Sequence, residues 1–155
     1  TRKENSMKIM FDQLRQTRMN MLTFLEKNKD RAFDIPTGYN NSIYWNIAHC
    51  VVTQQLLCYK LSGNDMIIDD ELVDLYRKGT KPSGAAPSVI EIGKVKDLLF
   101  TAVDQLDKDY SEGLFANYSD YETSFGLTIT SIEEAISFNN IHEGIHFGYL
   151  LAMIK

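Results

Sequence analysis

Apolar residues recur every three or four positions in four long stretches of the chain, the spacing of an amphipathic α-helix. These stretches cover about residues 4–28, 42–62, 88–110 and 130–155. Gly63 gives the second stretch a normal C-terminal stop, and capping boxes that begin at Ser88 and Thr130 open the last two. The pattern therefore predicts an all-α fold, a four-helix bundle formed by residues 1–155 as a single domain.

The connections between the predicted helices are uneven in length. Residues 29–41 and 63–87 are longer than the usual links between antiparallel helices. The second connection contains DDELVDLYRKG, which predicts a short helix with acids first and bases last. LFANYSDYETSFGLTITS, before the last helix, is typical of a loop with a short strand or hairpin. Long connections argue against a simple up-down-up-down bundle.

Composition narrows the class of protein. Apolar residues make up 44% and charged residues 24% of 155 residues, which is ordinary for a soluble globular domain. A net charge of −5 with no basic run argues against nucleic-acid binding. No apolar stretch approaches the length of a membrane span, so we expect no membrane association. The polar start carries no secretory signal, and Cys50 and Cys58 are expected to be reduced, which favours a cytoplasmic location.

The chain has three histidines, and all of them lie in predicted helices. His49 lies on the apolar stripe of the second helix, four residues after Trp45, while His142 and His146 are four residues apart and share one face of the last helix. We expect that face to point into the core. A lone histidine there is usually an ordinary packed residue, but three need partners for several ring nitrogens. Together they predict a shared divalent metal site with an open coordination position.

Two other metal sites fit the sequence less well. HEGIH matches the H-E-x-x-H pattern of zinc proteases, but Tyr149 and Ala152 stand where a metzincin needs glycine and histidine. A di-iron bundle needs Glu-x-x-His on two helices, and the second helix has Asn46 in place of the glutamate.

Several neighbouring residues are candidates for supporting roles. Glu143 is a candidate general base, although it could equally face another helix. Asn139, one turn before His142, is a candidate for orienting a ligand histidine or a substrate by a hydrogen bond. Trp45 and Tyr149 could line the pocket, with core packing the more common role. Arg18 interrupts the apolar stripe of the first helix, and we expect it to snorkel to the surface rather than anchor an anion inside.

The chain resembles the DinB superfamily. The resemblance is carried by Trp45-Asn-Ile-Ala-His49, by HEGIHFG in the last helix, and by long connections in a bundle, and it extends along most of the chain. It implies the DinB four-helix bundle, with His49, His142 and His146 as ligands of one divalent metal ion, usually zinc or nickel. It also implies a homodimer formed through helices. Some relatives are transferases or isomerases that use a low-molecular-weight thiol, bacillithiol or mycothiol, whereas many have no known activity.

Two functions from different classes follow. The first is an enzyme that activates a thiol or water toward a small electrophile, as a transferase or hydrolase would, and whose substrate is a small molecule. The alternative is a non-enzymatic metal- or ligand-binding protein related to stress. An enzyme needs an exchangeable metal position with a pocket leading to it, whereas a structural site is closed by a fourth protein ligand.

Overall fold

The computed structural model describes residues 1–155 and contains five α-helices and one β-hairpin. The helices are α1 (Arg2–Lys27), α2 (Ile43–Cys58), α3 (Asp70–Tyr76), α4 (Val89–Ser111) and α5 (Ile132–Met153), and the antiparallel strands are β1 (Tyr121–Glu122) and β2 (Thr128–Ile129). The four long helices confirm the predicted bundle, and α3 and the hairpin lie where short elements were predicted. None of the helices combines the length and the apolar character that a membrane crossing requires.

The helix starts follow the predicted caps with two differences. Ser88 caps α4, but the Glu91 carboxylate accepts hydrogen bonds from two tyrosines of other helices instead of returning to the Ser88 backbone. The cap of α5 is Ser131 rather than Thr130, because Ser131 accepts from the backbone N–H of Glu134. The side chain of Glu134 in turn accepts from the Thr130 backbone, so the capping motif lies one residue later than predicted.

Side-chain pairs between the long helices show that the chain direction runs up, down, down, up. The pairs that fix these directions are Lys3–Glu133 and Phe24–Phe147 between α1 and α5, Glu26–Lys96 and Arg15–Asp107 between α1 and α4, and Tyr44–Glu91 and Tyr59–Asp109 between α2 and α4. Since α2 and α4 are parallel, the connection between them must return along the bundle, and this return includes α3. The prediction that the bundle is not up-down-up-down is confirmed.

Two apolar clusters form the core, and a buried polar layer separates them. The layer contains Arg18, Gln54, Asn139 and Glu143, all of which have no solvent exposure. Arg18 donates to both carboxylate oxygens of Glu143, at 2.6 and 2.9 Å, and also to the Leu99 carbonyl and the Gln54 amide oxygen. The prediction that Arg18 snorkels to the surface is therefore wrong.

A buried guanidinium is tolerated here because its charge is matched. Burial by itself lowers the pKa of Arg18, but the adjacent Glu143 carboxylate outweighs burial and raises this pKa above its ordinary value. The ion pair joins α1 to α5, and the other two hydrogen bonds of Arg18 reach α2 and α4. One side chain thus connects all four long helices at the middle of the bundle.

Candidate metal centre

The three histidines meet where α2 packs against the antiparallel helix α5. The imidazole centroids of His142 and His146 are 4.4 Å apart, and that of His49 lies 4.8 Å from His146 and 5.1 Å from His142. One ring nitrogen from each residue lies within 4.8 Å of the others, and no cysteine, aspartate or glutamate joins the group. The structure thus brings together the three residues that the sequence nominated as metal ligands.

His49 is oriented by a backbone carbonyl from another element. Its Nδ1 lies 2.7 Å from the carbonyl oxygen of Tyr76, at the end of α3. Because a carbonyl can only accept, Nδ1 carries the hydrogen and Nε2 has a free lone pair. Trp45 stacks on the ring of His49, with the two ring planes 10° apart and the centroids 4.7 Å apart. The ring is therefore fixed with Nε2 available to a metal.

The Trp45 indole thus lies against one face of the His49 imidazole, whose Nε2 lies at the edge of the ring. The Thr53 hydroxyl, one turn further along α2, lies 3.4 Å from this Nε2. Trp45 is almost fully buried and also lines the cavity described below, so it has both of the roles considered for it.

His146 is oriented by an amide on the facing helix. Its Nδ1 lies 2.8 Å from Oδ1 of Asn46. The Asn46 amide nitrogen donates to Oδ1 of Asn41 and to the Ser42 carbonyl, which fixes the amide with its oxygen toward His146. Nδ1 of His146 therefore carries the hydrogen, and its Nε2, like that of His49, has a free lone pair.

His142 completes the group and leaves it short of hydrogen-bond donors. Its Nε2 lies 3.3 Å from Nε2 of His49, and its Nδ1 is buried without any partner. The Nε2 lone pairs of His49 and His146 thus face this centre, no other protein group fixes the tautomer of His142, and the Thr53 hydroxyl is the nearby donor outside the rings. Two ligands of a tetrahedral zinc ion are about 3.3 Å apart at a bond length of roughly 2.05 Å. The residues present therefore fit a divalent metal.

The surroundings keep the three rings neutral. Burial, followed by the neighbouring imidazoles, lowers the pKa of His142 to about 3. Burial and then His49 lower the pKa of His146 to about 4, and burial lowers the pKa of His49 despite its hydrogen bond to Tyr76. A metal ligand must be unprotonated, so these environments leave the histidines ready to bind a cation near neutral pH.

A cavity of about 540 Å³ opens beside the imidazoles. One face of α2 and the middle of α5 form its walls, and the β-hairpin region and the loop after α3 close its sides. The residues that line it besides the histidines include Trp45, Thr53, Leu56, Leu57, Lys60, Lys78, Tyr121, Thr123 and Phe138. A small molecule can therefore approach the three nitrogen ligands from this side.

The buried face of α5 differs from the predicted one by about one residue. Asn139, Glu143 and Leu150 are buried, whereas His142 and His146 are half-buried at the edge of that face. The reason is the ion pair, because Arg18 holds Glu143 at the bundle centre. Successive helical residues point about 100° apart, so His142 is turned toward the cavity.

Glu143 and Asn139 have partners inside the bundle rather than at the histidines. Both Glu143 oxygens accept from Arg18, and the Asn139 amide nitrogen donates to Glu143 at 2.7 Å. Neither residue lines the cavity, so no contact supports the general-base role for Glu143 or the orienting role for Asn139. Tyr149 packs on Tyr39, also away from the cavity.

Sequence reasoning missed the two groups that do orient the ligands. For Asn46 a usable signal exists, because a polar amide three residues before His49 on an apolar stretch indicates a buried hydrogen bond. The Tyr76 carbonyl left no signal, because a backbone oxygen is present at every residue and its position depends on the path of the chain.

Comparison with known proteins agrees with this architecture. A profile of the DinB superfamily matches residues 13–150, which is most of the chain. A search of curated proteins found no match. The long match, with the helical bundle and the three-histidine cluster, shows that the chain belongs to the DinB superfamily.

Proposed function

We propose that this protein is a metal-dependent enzyme that activates a thiol or water toward a small electrophile. The observation that carries the proposal is that three imidazoles converge at the wall of a 540 Å³ cavity without a fourth protein ligand. A structural metal site would be closed by such a ligand, whereas a catalytic site keeps a position for a small molecule. Zinc or nickel is the metal we expect.

His49, His142 and His146 would hold the metal, and neighbouring groups hold the histidines. The Tyr76 carbonyl and the Asn46 amide oxygen each accept a hydrogen from a ring Nδ1, which directs the opposite nitrogen toward the common centre. A bound divalent ion would supply Lewis acidity and lower the pKa of a thiol or water in the cavity. Trp45 and Phe138 add apolar wall that excludes bulk water from this region.

Metal content tests the ligand set. We expect about one divalent ion per chain in the wild type and none in His49→Ala, measured by elemental analysis after gel filtration. Leu56→Ala is the matched control, because Leu56 lies on the same helix and lines the same cavity but has no ligand atom. Circular dichroism should show that both variants keep their helices. Full occupancy in His49→Ala would falsify the three-histidine site.

Turnover tests the reaction class. The metal-loaded protein is assayed with small thiols, or with water alone, against epoxides, haloarenes and activated esters. We expect product formation that a chelator abolishes, that added metal restores, and that His49→Ala lacks. Turnover that does not depend on metal would contradict the proposal. A protein that binds metal stoichiometrically but converts none of these compounds would instead support the non-enzymatic binding function.

A further inference from the structure

The cavity beside the histidines contains lysines but no acidic residue. Its 16 lining residues include Lys60 and Lys78 and no aspartate or glutamate. The whole chain has 21 acidic and 16 basic residues, so this lining departs from the composition of the protein. Neither lysine forms an ion pair with a carboxylate. Two uncompensated positive charges therefore act on whatever enters the cavity.

Lys78 is placed next to the histidines by an anchored piece of backbone. It follows Tyr76 by two residues, and the Tyr76 carbonyl accepts the hydrogen bond from His49. The Tyr76 hydroxyl donates to Glu91 of α4 at 2.6 Å, which ties the end of α3 to the bundle. The loop that carries Lys78 thus starts from a fixed point and lines the same cavity as the imidazoles. Besides burial, the positive charge of Lys78 contributes to lowering the pKa of His49 and of His142.

Lys60 lies at the opposite end of the cavity. It follows His49 by eleven residues and lies just past the end of α2 at Cys58, which separates the two backbones by about 16 Å at roughly 1.5 Å per residue. Leu56, Leu57 and Phe138 line the space between. The cavity therefore offers a positive charge beside the histidines, an apolar middle section and a second positive charge at its far end.

We propose that the substrate of this site is an amphipathic anion, a small molecule whose carboxylate or similar oxyanion is bound by Lys78 beside the histidines, and whose apolar part packs against the middle section of the cavity toward Lys60. Lys60 adds a weaker attraction over a longer distance. The inference rests on the proposed function, because it names the substrate class of the same site. Both lysines are exposed, so water solvates them when no anion is bound. An uncharged molecule therefore gains nothing from their charge, and a cation is repelled by it.

Matched probes of different charge test this inference. Phenylbutyrate and phenylbutanol share their apolar part and differ in the anionic group. Each is titrated by calorimetry into the metal-loaded protein and into the same protein after chelator treatment, where the carboxylate cannot bind through a metal. We expect the acid to bind about threefold to tenfold more tightly than the alcohol in both forms, and high salt to reduce the difference.

Three lysine variants test which residues cause the preference for the acid. Lys78→Met and Lys60→Met keep most of the side-chain length but remove the charge. Lys78→Met should lose most of the preference for the acid, and Lys60→Met should lose a smaller part of it. Lys108→Met is the control, because Lys108 is exposed on α4, lines no part of this cavity and forms no ion pair. The control should keep the full preference. All three variants should retain stoichiometric metal, which separates this inference from the ligand set.

The inference is overturned by any of three results. The first is an alcohol that binds as tightly as the acid, the second is a Lys78→Met variant that keeps the full preference, and the third is that no acid from phenylacetate to phenyloctanoate binds measurably. Each of these leaves the metal analysis of His49→Ala unaffected. Conversely, a wild-type protein that takes up no metal in the elemental analysis but still prefers the acid would support the anion site and contradict the metal proposal.

Discussion

Replacing Arg18 with methionine removes a fully buried guanidinium and leaves the Glu143 carboxylate without its partner. The wild-type pair has two short hydrogen bonds, and Arg18 also satisfies the Leu99 carbonyl and the Gln54 amide oxygen. Breaking a buried ion pair from one side costs about 3–5 kcal/mol in free energy of unfolding. For a domain of this size we expect Tm to fall by about 6–20 °C.

Two further variants test whether the loss of stability comes from the unpaired Glu143 carboxylate. Arg15→Met makes the same substitution one turn earlier on α1, where Arg15 pairs with Asp107 at the surface, and should cost less than about 1 kcal/mol. Adding Glu143→Gln to Arg18→Met removes the unpaired charge and still offers Asn139 an acceptor. The double variant should therefore recover at least 1 kcal/mol of the loss.

Urea unfolding followed by circular dichroism measures these free energies, with equal m-values as the condition for comparing them. The reasoning is refuted if Arg18→Met costs no more than Arg15→Met. It is also refuted if the double variant is less stable than Arg18→Met, because an unpaired Glu143 charge could not then be the source of the loss.

Three other perturbations have expected outcomes. Asn46→Leu should weaken metal affinity about 10- to 100-fold, measured by competition with a coloured chelator, because His146 loses its hydrogen-bond acceptor. Burial raises the pKa of the Cys50 and Cys58 thiols, so the folded protein holds protons that the unfolded chain releases. Stability should therefore fall as pH rises past about 9, and iodoacetamide should modify neither thiol until urea unfolds the chain. Finally, the predicted homodimer should sediment with the mass of two chains, and Ile145→Glu should sediment with the mass of one, because Ile145 is an exposed apolar residue on α5; a wild-type protein that sediments as a monomer would contradict the predicted dimer.

The helices were predictable because periodicity is a local property of the sequence. The apolar spacing located all four long helices, and the charge order of DDELVDLYRKG located α3. Details at the helix ends were less predictable, since the Glu91 carboxylate has tertiary partners, Tyr44 and Tyr76, instead of its own cap. The capping motif pointed to Glu91 as a hydrogen-bond acceptor but did not predict that its partners would be tyrosine hydroxyls.

The interior polar layer shows why sequence reasoning failed for Arg18. An arginine on an apolar stripe usually reaches the surface, and only a buried anion reverses that preference. That anion is Glu143, 125 residues away along the chain. For the same reason, the sequence does not predict which face of α5 is buried. The ion pair with Arg18 turns Glu143 inward, and the two residues are far apart in the chain.

The histidine cluster could be predicted because its information is in residue type and spacing. His142 and His146 share a helix face by virtue of their separation of four, and the chain has one further histidine, His49. Their hydrogen-bond partners depend on how α3 and α2 lie against them. The cavity likewise depends on the packing of several elements, so no local pattern in the sequence predicts that its two lysines line one cavity.

The stacking of Trp45 on His49 makes tryptophan fluorescence a reporter of the candidate metal site. The chain has a single tryptophan, so its fluorescence comes from one place in the molecule, directly against a candidate ligand ring. A positive charge that the imidazole acquires interacts with the indole face and should alter its emission. Occupancy of the site could then be followed in real time, in the unlabelled protein, by observing light from a residue that never touches the ion.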